Sequence, residues 1–214
     1  GFGLTTIPIF ESFLTSETVV PTGNQETVYA YNAITLGDEP LVFEVVPNVV
    51  GFIADAWQRP VMDVGRPGPD RGEGGTYLIV PPGYEGPLPT DEYHVAEMPT
   101  RTMWWLVRGF SNDGTPEVPA QHLKGLRLYP LSSADDPPAQ EFANGSDNPA
   151  HCIPPRGFEY WERLADAVQA EEIQERDRAL LGMAALIGVE KGVQFAPDEK
   201  LREILVEAEK VGWA

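Results

Sequence analysis

Between Thr27 and about Leu131, short runs of alternating apolar and polar positions recur, rich in β-branched and aromatic residues. A period of two sends successive side chains to opposite faces of a strand. The pattern predicts strands over 27–36, 41–46, 51–58, 76–80, 93–98, 102–108 and 125–129. Strong breakers separate them, among them Gly37-Asp38-Glu39-Pro40, Gly65-Arg66-Pro67-Gly68-Pro69 and Pro81-Pro82-Gly83. Glycine there supplies positive φ, and proline removes a ladder donor. Short strands at this spacing predict a mainly β fold, an antiparallel β-sandwich or a jelly-roll-like barrel, rather than a parallel α/β sheet.

Further along, the period changes. Residues 132–157 are rich in Ser, Asp, Asn, Pro and Gly without a sustained apolar repeat, the composition of a linker or a long surface loop. From Phe158, Trp161, Leu164, Ala165 and Val168 recur at intervals of three and four. Leu180, Leu181, Ala184 and Ile187 do the same, as do Leu201, Ile204, Leu205 and Ala208, with Pro197 suited to a first helical turn. The expected organisation is a β domain over 1–131, a connection over 132–157 and a small three-helix segment over 158–214.

Charge narrows the partners. With 33 acidic residues against 15 basic ones the chain carries a formal charge of −18, the wrong sign for a phosphate backbone or an anionic membrane surface. Nucleic acid is therefore not an expected partner. No apolar run approaches the roughly 20 residues of a membrane span. The single Cys152 rules out an internal disulfide, and His94, His122 and His151 lie too far apart in sequence for a zinc motif. Neither a metal nor a cofactor is expected. There is no nucleophile elbow, phosphate-cradling glycine loop or paired-histidine helix.

The remaining chemistry lies on strand faces. Alternation through Asp55-Ala56-Trp57-Gln58-Arg59 would set Asp55, Trp57 and Arg59 on one face. Thr102, Trp104, Leu106 and Arg108 would share a second face, and Thr27, Tyr29 and Tyr31 a third. If these faces converge, they form an aromatic-walled cavity with a few charges, the composition of a small-molecule pocket. If they do not, the aromatics are core and Asp55 pairs with Arg59 or Arg108 at a rim.

Several segments resemble, in order, those of the bacterial family called domain of unknown function 1254. The run Val20-Pro21-Thr22-Gly23-Asn24-Gln25-Glu26-Thr27-Val28-Tyr29 is similar to its Pro-Asn-Asn-Asp-Thr-(Leu/Val)-Tyr motif. Asp55-Ala56-Trp57 resembles its Asp-Ala-Trp strand, and Gly74-Gly75-Thr76-Tyr77-Leu78-Ile79-Val80-Pro81-Pro82-Gly83 its Gly-Thr-Tyr-Leu hairpin. Ile187-Gly188-Val189-Glu190-Lys191-Gly192-Val193-Gln194-Phe195 is similar to an Ile-Gly-x-x-x-Gly-x-x-Phe signature. Glu26 stands where members usually have Asp. Members also normally continue into a second β-rich domain, the domain of unknown function 1214. The resemblance, and an opening Gly1-Phe2-Gly3 with neither Met nor leader, lead us to expect a fragment of a larger protein. A removed leader would place it in the periplasm or outside the cell; the sequence does not decide this. The C-terminal helices are expected to pack on a second domain or partner chain.

Residues and resemblance leave two functional classes open. In the first, a small, partly apolar molecule is bound or transformed, with Glu26 and Asp55 as acid and base and Arg59 or Arg108 stabilising a developing anion. Asn24, Tyr29, Trp57, Tyr77, Trp104 and Trp105 would then wall and orient the ligand. In the second, the chain is a non-catalytic binding or assembly module.

Overall fold

The structure is a computed structural model that describes residues 5–15, 24–147 and 153–213. The chain forms two compact units, Gly1–His151 and Cys152–Ala214.

The first unit holds two open sheets. In the larger, β10 (Phe142–Asn144), β1 (Ile7–Phe10), β2 (Thr27–Thr35), β8 (Thr102–Phe110), β4 (Val50–Asp55) and β5 (Pro60–Gly65) lie side by side in that order. The smaller runs β7 (His94–Glu97), β6 (Gly75–Val80), β3 (Leu41–Val45) and β9 (Arg127–Pro130). Both sheets keep free edges, so this is a mainly β sandwich and not a closed barrel. Pairing is antiparallel except for β1 with β10 and β6 with β7, which are parallel.

Alternation explains the layers. Along β8 the inward positions Met103, Trp105 and Val107 are buried, while Trp104, Leu106 and Arg108 between them are only half-buried. Val28, Ala30 and Ile34 of β2 and Ile53 of β4 join the inward set, facing Leu41, Phe43, Tyr77 and Ile79 of the smaller sheet. Trp105 meets Phe43 with ring centroids 5.0 Å apart, joining the two layers. Burying a large apolar side chain contributes about 1.5–3 kcal/mol, which makes this layer the principal stabiliser of the unit. The short helix α1 (Glu117–Leu123) inserts Pro119, Ala120 and Leu123 into the same core. It can do so because Gly109 leaves room: a Cβ there would lie 3.1 Å from the Pro119 Cβ.

The stretch expected as a linker or surface loop contains β10, whose Phe142, Ala143 and Asn144 pair with Ile7, Pro8 and Ile9. The outer face of the smaller sheet has a second apolar cluster, where Tyr84, Leu88, Tyr93 and Leu131 cover Val42, Leu78, Val80 and Tyr129.

The second unit contains the three expected helices, α2 (Phe158–Ala170), α3 (Arg178–Ala185) and α4 (Glu199–Trp213). Ala165, Val168 and Leu205 are buried, and the Trp161 indole N–H donates to the Leu205 carbonyl at 2.8 Å. Arg156 Nε meets the Glu209 carboxylate at 2.5 Å. In contrast α3 has no buried residue, and its Leu180 and Met183, with Leu186 just beyond, are 63%, 67% and 86% exposed. No described helix is long and apolar enough to cross a membrane.

Candidate functional site

Strand register assembles one face and disperses the rest of the expected site. Tyr29 of β2 and Val50 of β4 lie directly opposite Arg108 of β8, one on each side. In the next row Tyr31 and Phe52 flank Leu106, and in the third Ala33 and Ala54 flank Trp104. All of these point away from the sandwich interior, because they alternate with Trp105 and Val107. The outer face of the larger sheet is thus a continuous aromatic strip with a guanidinium at one end. The Phe52 and Trp104 rings meet edge to face at 5.0 Å, and Phe10 of β1 stacks on Tyr31 at 4.4 Å. The Arg108 guanidinium lies over the Tyr29 ring, 5.6 Å from its centroid.

Two buried polar atoms on this face have no hydrogen-bond partner among the described residues, Arg108 Nε and Thr27 Oγ1. Arg66, just past β5, lays its guanidinium over Phe110 at 5.1 Å, adding positive charge beside Arg108 on an otherwise acidic protein.

Asp55, Trp57 and Arg59 do not share a strand face. β4 ends at Asp55, and the chain turns before β5 starts at Pro60. The Asp55 carboxylate accepts the backbone N–H groups of Trp57 and Arg59, both at 2.9 Å, while the Asp55 N–H donates to the Arg59 carbonyl. Gln58 adopts φ of 58° to close the loop. A short carboxylate that captures the N–H two residues on is a turn former, and here that local bond overrides the alternation. Asp55 is fully buried, and these backbone bonds fix its carboxylate within the turn.

Glu26 is exposed, immediately before β2, where its N–H donates to Asn24 Oδ1 at 2.6 Å. It lines a shallow cavity of about 460 Å³ with Phe13, Gln25 and Ser111. Thr27 pairs with Phe110 and Asp55 with Met103. Seven rises of β8 therefore separate their rows, about 23 Å. The two carboxylates expected as acid and base sit at opposite ends of the sheet.

Trp105 and Tyr77 face the sandwich interior and are fully buried. The Tyr77 hydroxyl donates to Asp70 Oδ1 at 2.8 Å, and burial followed by that bond pushes the phenol well above the ordinary tyrosine range. Both are core residues rather than walls of the outer face. Trp57 is half-buried in the β4–β5 turn. Of the residues singled out by sequence, Tyr29, Trp104 and Arg108 are brought together. Leu106 and Thr27, on the faces that alternation predicted, and Phe52, which alternates with the buried Ile53 of β4, complete the strip.

A more spacious groove, about 780 Å³, lies elsewhere, in the helical unit between α2 and residues 192–195. It is lined by Glu159, Glu162, Arg163, Asp166, Gln169 and Phe195, a polar rim that includes none of the expected residues. The described residues contain no group of three or more potential metal ligands; His151 and Cys152 lie outside them.

Fold and face together define a mainly β, two-sheet protein with a half-buried aromatic and cationic sheet surface. The chain belongs to the family described as protein of unknown function (DUF1254), whose model matches residues 5–130. Its fold is similar to that of the VPA0106 protein from Vibrio parahaemolyticus, known from a crystal structure. The TM-score is 0.64 over 90% of this chain at 16% identity, and this chain spans 49% of that one. A comparison with curated proteins finds no match.

Proposed function

We propose that the β unit binds a small, partly apolar molecule on the outer face of the larger sheet. Tyr29, Leu106, Phe52 and Trp104 supply the apolar surface, and Arg108 the charged end. The register of β2 and β4 on β8 carries this reading, because it places these side chains in adjacent rows on the side away from the core. An apolar floor with few, grouped polar atoms is the usual make-up of a ligand site. Glu26 and Asp55 do not converge, so the reading is one of binding rather than of proton transfer between that pair.

Titration with benzyl alcohol, followed by ligand-observed NMR, tests it. Trp104→Ala is expected to abolish binding, whereas Tyr129→Phe, on the other sheet, leaves it unchanged. Binding that survives Trp104→Ala would overturn the assignment.

Two observations favour a second reading, an assembly module packing on a second domain or chain. The apolar side chains of α3 are left uncovered among the described residues, and this chain spans only half of its Vibrio structural relative.

A further inference from the structure

We infer that the Arg108 end of the strip is a carboxylate-binding subsite built from Arg108 and Thr27, so that the molecule bound there is an organic acid. This rests on the reading that the outer face binds a small molecule. Thr27 is one row beyond Tyr29 on β2 and faces the same side. Paired with Phe110, it is the diagonal neighbour of Arg108, a spacing of about 7–8 Å between adjacent strands. That distance admits one carboxylate accepting from the threonine hydroxyl and the guanidinium at about 2.8 Å each.

Three observations converge on it. Thr27 is only 3% exposed, yet its hydroxyl has no partner among the described residues. Arg108 Nε is equally covered and equally without one. Leaving a buried donor unmet is costly, and a fold gains nothing from two such donors side by side where a valine and a methionine would fill the space. Arg66 over Phe110 brings a second cation to the same end of the sheet, opposing the net −18 of the chain locally. Both donors lie beneath neighbouring atoms, so the acid enters as the Arg108 side chain swings off the Tyr29 ring. The apolar body of the ligand then runs over Leu106 toward Phe52 and Trp104.

The test compares benzoate with benzyl alcohol, an anion and an uncharged ring of similar size, on the wild-type protein, Thr27→Val and Arg108→Lys. Thr27→Val keeps the shape and deletes the hydroxyl; Arg108→Lys keeps the charge and deletes Nε. Benzoate is expected to bind more tightly than benzyl alcohol. Each substitution should weaken benzoate about ten-fold, and much more than it weakens benzyl alcohol, with the melting temperature unaltered. Equal affinity for the two compounds, with Thr27→Val silent, overturns the carboxylate subsite and leaves the aromatic face standing. A lower melting temperature in Thr27→Val without change in benzoate affinity also overturns it, assigning the hydroxyl to the fold. If neither compound binds, the outer-face reading falls as well.

Discussion

Each sheet lays an arginine over a tyrosine on its outer face, but the surroundings of the two pairs differ. On the smaller sheet Arg127 lies over Tyr129, 5.4 Å from the ring centroid. Its Nη2 donates to the Pro137 and Pro138 carbonyls at 3.3 and 3.2 Å, and the Tyr129 hydroxyl donates to Glu44, which stands opposite Arg127 in register. On the larger sheet Arg108 lies over Tyr29 with the same ring geometry and an unmet Nε. The contact is common to both; the completed hydrogen bonds belong to one. A satisfied pair is accounted for by folding, because every polar atom has repaid its desolvation. An unsatisfied one on a half-buried aromatic strip calls for something besides folding.

Stability measurements break this comparison if it is wrong. The largest loss is expected at Arg127→Met, which leaves the Tyr129 ring without its cation and two proline carbonyls without a donor. Urea unfolding should show about 2 kcal/mol lost. Tyr129→Phe comes next, at about 1 kcal/mol for one hydrogen bond, and it carries a pH signature. Burial, reinforced by the bond to Glu44, raises the Tyr129 phenol well above its ordinary value. A folded pKa above the unfolded one means that this stability is fully present below about pH 10, the unfolded value, and is lost as pH rises beyond it. Tyr129→Phe should therefore reduce the alkaline fall in stability, as read from urea midpoints at pH 8 and above. The smallest effect is expected at Arg108→Met, within about 0.5 kcal/mol, because no hydrogen bond is removed. A loss there as large as at Arg127 would make the two pairs equivalent and dissolve the contrast.

Much of the sandwich was legible because its central strands are half-buried and therefore alternate. β2 and β8 show this over nine residues each. β1 was not legible: all four of its residues are buried, so no alternation exists, and Pro8 argues against a strand. β10 is three residues long within a polar, proline-rich stretch and is a strand only because β1 lies beside it. β5 opens on Pro60 and closes on Gly65, which together read as a turn. At the candidate site, period two correctly set Arg108, Leu106 and Trp104 on one face. The same rule separates Trp104 from Trp105, so the neighbouring tryptophans could never have lined one surface. Asp55 misled because a turn with a positive φ at Gln58 leaves no mark in the hydrophobic pattern.

The parallel pairing of β1 with β10 has a consequence for the order of events in synthesis. Gln140, beside β10, donates to the carbonyl of Thr5, 135 positions earlier in the chain. As the polypeptide emerges, Ile7 and Ile9 are made more than 130 residues before Phe142–Asn144, the strand that covers their outer edge. Until then β1 is a short, wholly apolar strand with one side unpaired, the kind of edge to which other chains adhere. Closing so long a loop is slow compared with forming local hairpins. Synthesis therefore passes through an interval in which β1 waits with an apolar edge open.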